Sequence, residues 1–371
     1  MDAPLANPER VGIAADASRD REHTRVPFSV LPFLARLALP IGLSVAACGL
    51  LVWYVSRHQE QWQTVLLASP WLLPVCAVAS LASSIVPGVI YWVMTSRVGR
   101  DVGLAESIWL AVMTGAINAV VPLHAGAAAR GVYLKRRHDL DLSAFAATFL
   151  GYNILRLFAA SVAAAGAGLW LLLTRAASFP GDARDASAVE GIASAEASTA
   201  GLEGLVMIAG ALAVAAAGAC VVRPSWLGRL GLSRFQGNPL MQPLMKFQAG
   251  WHELMRCPRF LLQVLALVML QIAAELVVVW AAWGAVGVPL SAAAVVLVSS
   301  FGILTALTGL TPGGLGIVEL VSVAVGVTVA VEPAHGIAAG LVARGLSLAV
   351  LAATTPVALV CLAARRGPGR A

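Results

Sequence analysis

Three arginines stand within apolar sequence, and each follows a proline-glycine break. Pro122 and Gly126 precede Arg130 and Arg156, and Pro312, Gly313, Gly314 and Gly316 precede Arg344. A guanidinium is a planar fork of donors that pairs well with phosphate and carboxylate. Hydrocarbon solvates neither a charge nor a freed backbone group. At membrane depth both survive only against protein or in a water-filled cavity. Two such breaks, each followed by buried cations, point to a central anion-binding site in a membrane-embedded bundle. Glu319 lies three residues after Gly316, His124 lies within the first break and Asn118 about one turn before it.

Each of these residues has a plainer structural role to set beside the chemical one. Arg130 could meet a phosphate arriving from the cytoplasmic leaflet, or could anchor the chain by snorkelling to headgroups. Arg156 and Arg344 could bind substrate or form buried ion pairs, Arg344 with Glu319. The Glu319 carboxylate suits a charged site and equally caps a helix start. His124 could couple movement to protons or simply bond backbone or headgroup, and Asn118 could satisfy backbone groups freed by Pro122. Glu275, with Gln271 one turn earlier, could pair with an arginine, relay a proton or bond a neighbouring helix. The run Gly313-Gly314-Leu315-Gly316 lacks the Gly-Lys-Ser/Thr ending of a nucleotide loop. It suits a tight turn in the membrane, with a half-helix amino end facing an anionic group. No catalytic residue, cofactor or metal is expected: the five cysteines have no ligand spacing, and the core His and Glu residues form no transferase motif.

The elements that would position these residues are hydrophobic helices. The chain is 59% hydrophobic and 12% charged, with a mean hydropathy of +0.83, outside the range of soluble domains. Apolar segments fall at about 35 to 56, 70 to 95, 105 to 134, 142 to 174, 201 to 222, 259 to 287, 291 to 331 and 335 to 363, most near the ~20 residues needed to span. Single crossings throughout would place Lys135, Arg136 and Arg137 outside and the acidic 182–196 stretch inside, against the positive-inside rule. If 105–134 and 291–331 each turn back at their breaks, or cross in pairs, every basic loop becomes cytoplasmic. The units 70–174 and 259–363 are then inverted repeats, an arrangement that puts substrate between the halves near the midplane.

The expected fold is therefore an all-α polytopic bundle of inverted repeats with two broken or re-entrant segments, in the inner (plasma) membrane with both termini cytoplasmic. Residues 1–34 form a flexible cytoplasmic tail and 35–363 one transmembrane domain. Within that domain 177–200 is a disordered outer loop and 238–256 an amphipathic interfacial helix; 364–371 is a basic tail. The net charge of +6 is explained by the basic loops, which excludes nucleic acid as a partner.

The stretch Ile117-Asn118-Ala119-Val120-Val121-Pro122 through Gly126 and Arg130, with Thr311-Pro312-Gly313-Gly314-Leu315-Gly316-Ile317-Val318-Glu319, resembles the two signatures of the lysylphosphatidylglycerol synthase transmembrane, or flippase-like, family over residues 35 to 363. This chain has Leu123, His124 and Ala127 where the family has glycine, basic and acidic residues, and Ala159 where an aspartate is frequent. The resemblance implies a lipid flippase or scramblase for an anionic, aminoacylated, lipid-linked or hopanoid-type amphiphile, with membrane lipid and lipid-biosynthesis enzymes as partners. No aminoacyl-transfer domain follows Ala371, so it implies the transport half alone. The alternative is a membrane scaffold for a lipid-modifying enzyme, in which all three arginines would be paired internally.

Overall fold

The computed structural model describes residues 56, 69–97, 102–178, 200–216, 257–307, 311–329 and 331–365. The tail 1–34, residues 35–55 of the first apolar segment, the 238–256 helix, residues 179–199 of the outer loop and the tail beyond Arg365 lie outside the described residues. The helices are α1 (Leu72–Arg97), α2 (Leu104–Val120), α3 (Ala125–His138), α4 (Leu142–Ser178), α5 (Ala200–Ala216), α6 (Pro258–Ala285), α7 (Ala292–Ala306), α8 (Ile317–Thr328) and α9 (Pro333–Ala364). There is no strand among the described residues. Four helices, α1, α4, α6 and α9, are long and apolar enough to cross a membrane, so this is a multi-pass membrane protein. Helix α4 runs on through Ser178, two residues past the expected start of the outer loop.

Local chemistry sets the boundaries. Val121 turns extended ahead of Pro122, because the proline ring disfavours helical backbone in the residue before it. Leu123 and His124 then take left-handed backbone, with φ of 62° and 55°, and reverse the chain. Helix α3 ends on Lys135, Arg136, Arg137 and His138, whose charges suit the negative end of the helix dipole. Ser291 caps α7 by accepting from the Ala294 N–H at 3.3 Å. Prolines 258 and 333 occupy the first turns of α6 and α9, where a missing N–H costs nothing.

Corresponding helices of the two halves run antiparallel. Near the α1 start, the Ser69 N–H donates to the Ala285 carbonyl at the α6 end (3.3 Å) and the Cys76 thiol approaches the Val278 carbonyl. At the other end, the Arg97 guanidinium lies 5.2 Å from the Phe260 ring at the α6 start. Beyond this central pair, α4 packs on α7 and, reciprocally, α9 packs on α2. This exchange of partners is what two inverted halves require.

The two broken segments are helical hairpins, so each returns to the face from which it starts. In the first, Gly126 of α3 lies against Thr114 and Asn118 of α2, Arg130 meets Ser107, and Tyr133 and His138 meet Glu106. Helix α3 thus returns to the face from which α2 started. In the second, Gly326 of α8 comes back to Trp283 at the end of α6, and α9 then descends past it, Gly336 against Val323 and Gly340 against Glu319. Since α6 ends where α1 begins, the hairpins enter from opposite faces. Helices α2 and α3, at 17 and 14 residues, are about 25 and 21 Å long, short of a full hydrocarbon core. Arg97, the 135–138 cluster and Arg365 all fall on the face from which the first hairpin enters.

The packed core lies between α1, α4, α6 and α7, where Ile90, Met94, Ala160, Val264, Val268 and Leu297 are fully buried. Trp170, Met207 and Val360 are exposed on the outside of the bundle, as expected of a surface that faces lipid.

Candidate functional site

The breaks meet. A Cβ on Gly313 would lie 3.4 Å from Ala119 Cα, so the turn after α7 touches the last turn of α2. Around this junction lie two adjoining cavities of about 310 and 330 Å³. Both are lined by Ser83, Asn118, Arg156, Glu275 and Gly313; the first also reaches Tyr91, His124, Arg130 and Tyr152, and the second Ser322, Gly340 and Arg344. Pro87 in α1 cannot donate to the Ser83 carbonyl, and both residues are in the wall of the first cavity.

The three arginines have different surroundings. Arg156 Nη2 donates to Glu275 Oε1 at 2.5 Å. Glu275 also accepts from Gln271 Nε2 at 3.1 Å, and Gln271 in turn accepts from the Tyr152 hydroxyl at 2.6 Å. Arg344 Nε lies 2.7 Å from Glu319 Oε1. The other oxygen of Glu319 accepts from the Gly316 N–H at 2.8 Å, so this carboxylate is both cap and ion-pair partner. The amino end of α8 therefore faces an anionic group from its own first turn.

Arg130 has no carboxylate within ion-pair distance among the described residues. It is 3% exposed, which removes the snorkelling anchor as an account of it. Its Nη2 donates to Ser107 Oγ at 2.9 Å, and the Ser107 hydroxyl donates to the Gly88 carbonyl at 2.8 Å. The guanidinium carbon sits 4.0 Å from the Tyr91 ring centroid, a cation–π geometry. Its Nε and Nη1 are buried without a hydrogen-bond partner.

Asn118 takes the expected backbone role: its Oδ1 accepts from the Gly126 N–H at 2.8 Å. A glycine is required there, since a Cβ at 126 would lie 2.2 Å from the Thr114 carbonyl oxygen. His124 precedes α3 with its ring edge-on to Phe149, centroids 6.0 Å apart. The glycines of the second break carry the left-handed backbone, with φ of 55°, 74° and 80° at 313, 314 and 316. Of the residues read from sequence, Asn118, His124, Arg130, Arg156 and Arg344 line the cavities, and Glu319 adjoins them through Arg344.

Sequence reasoning missed Tyr91 and Tyr152, whose rings lie 5.3 Å apart and separate Arg130 from the Gln271–Glu275–Arg156 chain. Their signal was a polar tip in each of two apolar spans. It also missed Glu106 at the basic face. That carboxylate accepts from the Tyr133 hydroxyl at 2.8 Å and lies 3.0, 3.3 and 3.9 Å from His138, Arg137 and Arg365 nitrogens. Arg137 also donates to the Arg365 carbonyl at 2.5 Å. The cluster ties the open ends of the first hairpin to the end of α9. An acidic residue at the start of an apolar segment, facing a basic run, was the available sign.

A family model described as the lysylphosphatidylglycerol synthase TM region matches residues 38–354. No curated protein and no solved structure matches the chain.

Proposed function

Because the chain belongs to the lysylphosphatidylglycerol synthase transmembrane-region family, a family of membrane proteins in lipid metabolism or transport, we propose that it moves an amphiphile between the leaflets of the inner membrane. The cargo class is an anionic, aminoacylated, lipid-linked or hopanoid-type lipid, and the protein acts as a flippase or scramblase. The observation that carries this reading is Arg130, a deeply buried cation at the wall of a cavity with two unpartnered donor nitrogens and no carboxylate partner among the described residues. A buried charge without an ionic partner is costly and is best understood as a binding group whose partner comes and goes. In the inverted halves, the cavity lies where broken-helix transporters hold their substrates. The basic face is assigned to the cytoplasm by the positive-inside rule.

The scaffold reading has some support too, because Arg156 and Arg344 are both paired within the chain. Arg130 separates the two. Reconstitution into liposomes with a headgroup-labelled anionic lipid, followed by bleaching of the outer leaflet, tests transport directly. Wild type should expose the inner-leaflet label at a rate well above empty liposomes, and Arg130→Met should slow it. Rates equal to empty liposomes for all lipids tested would favour the scaffold.

A further inference from the structure

Helix α9 is firmly anchored at one end only. Its buried residues are Ala334, Gly336, Ile337, Ala338, Ala339 and Gly340 in the first turns, and then Ala358 alone. Val357, Leu359 and Val360 near its far end are 50 to 68% exposed. Between the two parts the helix is weakened. Pro356 has no N–H for the Ala352 carbonyl. The Thr354 and Thr355 hydroxyls donate back to the Val350 and Leu351 carbonyls at 2.8 and 2.6 Å, a pattern that bends helices. A helix packed at its start and weakened at 350–356 can swing its far end.

That far end helps to wall a groove of about 350 Å³ between α2, α3 and α9. Leu110 and Met113 of α2, Ala129 and Tyr133 of α3, and Leu359 and Leu362 of α9 line it. Thr114 and Arg130 belong both to this groove and to the first central cavity. The groove is therefore a side approach to that cavity.

The ties on the far end are polar and lie at the basic face. Arg137 Nη2 donates to the Arg365 carbonyl at 2.5 Å, and Arg365 Nη1 lies 3.9 Å from Glu106 Oε2. The two arginine side chains are 28 and 42% exposed, where such ties are weak. Releasing Arg365 strands no buried charge, because Glu106 keeps Tyr133, Arg137 and His138. Nor does the fold demand this carboxylate. Counted from the caps, Gly103 of α2 and Ser291 of α7, Ala294 stands in the second half where Glu106 stands in the first.

We infer that residues 357–365 are a lateral gate, hinged at Pro356 and latched by Arg137 and Arg365 to Glu106, which swings aside to open the α2–α3–α9 groove to the leaflet on the basic side. The gate rests on the transport reading above only for what passes through it. Its motion gives a hydrocarbon chain a way to the cavity that avoids the packed core between α1, α4, α6 and α7. From Pro356 to Ala364 the helix is about 12 Å long, so a kink of ~20° moves Ala364 by about 4 Å.

The test uses the full-length protein, in a cysteine-free background, in nanodiscs of phosphatidylglycerol and phosphatidylcholine. Spin labels at Lys135→Cys in α3 and Ala364→Cys in α9 report the gate by double electron–electron resonance. A second pair, Leu320→Cys and Leu341→Cys, reports the anchored end. Wild type is expected to show the latched distance and a population about 4 Å longer. Arg137→Met should enlarge the longer population. Pro356→Ala, which restores a donor to the Ala352 carbonyl, should remove it and should slow label exposure in the liposome assay. The second pair should keep one distance throughout. A single distance shared by wild type and Arg137→Met overturns the gate. A longer population that survives Pro356→Ala, or a parallel shift in the second pair, overturns the hinge. Unchanged transport by a Pro356→Ala protein that has lost the longer population overturns the gate as a route of entry. In each case the transport reading stands, since it fails only on the liposome rates of wild type.

Discussion

Replacing Gly126 by alanine tests the geometry on which the site depends. The added Cβ would sit 2.2 Å from the Thr114 carbonyl oxygen and 2.8 Å from Asn118 Oδ1. The nearest atom is backbone, so no rotamer relieves the clash. To bring even that contact to the 3.0 Å below which Cβ atoms are essentially never found, α2 and α3 must part by about 0.8 Å. That movement stretches the 2.8 Å bond from Gly126 N–H to Asn118 beyond hydrogen-bond range. Overpacking costs about 1–3 kcal/mol, and the orphaned part-buried groups about 1–3 kcal/mol more, so the expected loss is roughly 2–6 kcal/mol. Arg130, one turn along the same face of α3, should move away from Ser107 and Tyr91. Gly345 in α9 is an internal control, because a Cβ there meets open space; Gly345→Ala should be neutral or stabilising by about 0.5–1 kcal/mol. Equilibrium unfolding in mixed detergent-SDS micelles measures both. A Gly126→Ala protein within 0.5 kcal/mol of wild type would refute the close hairpin, and with it the placement of Arg130.

The Arg344–Glu319 pair separates charge from capping. Glu319→Gln keeps an acceptor for the Gly316 N–H but removes the negative charge 2.7 Å from Arg344. Arg344→Met leaves the carboxylate uncompensated, and each should cost about 3–5 kcal/mol. The double variant should recover much of that, and strictly additive losses in the same unfolding assay would show that the pair is not coupled. The hairpins make a prediction about sidedness. In a cysteine-free background, Leu104→Cys and Arg136→Cys should react with an impermeant maleimide from one side of sealed vesicles, and Pro289→Cys and Glu332→Cys from the other. Labelling of Leu104→Cys and Arg136→Cys from opposite sides would mean that the 105–134 segment crosses the membrane once, and would refute the hairpin.

Much of this architecture was legible because membranes restrict the alphabet. A charge or a proline inside an apolar run is conspicuous, and Pro122, Pro312, Arg130, Arg156, Arg344 and Glu319 were each found that way. The positive-inside rule then required the two broken segments to return to their starting faces. Pairing partners were harder, because they depend on how helices distant in sequence rotate against one another. The Arg344–Glu319 pair was within reach, since the two residues belong to one broken-helix unit. Arg156 and Glu275 are 119 positions apart, and nothing local couples them. Tyr91 and Tyr152 escaped notice because an aromatic ring in an apolar span ordinarily reads as packing. Their placement between two cationic groups is a tertiary fact. Glu106 escaped because its four partners come from α3 and from the end of α9.

The contact between the two breaks bears on how the protein is made. Ala119 leaves the ribosome long before Gly313, its neighbour across the junction. At about 5–20 residues per second, the delay is on the order of 10–40 s. Throughout that interval the left-handed turn at Leu123 and His124 has no second break to pack against, and acyl chains cannot solvate its backbone. The nascent first hairpin must therefore wait in a hydrated or chaperoned state, held at the membrane surface or within an insertase. It reaches its final depth only after the second hairpin has been delivered from the opposite side. Maturation of this protein should consequently be slower than its synthesis, and sensitive to the loss of whatever shelters the early half.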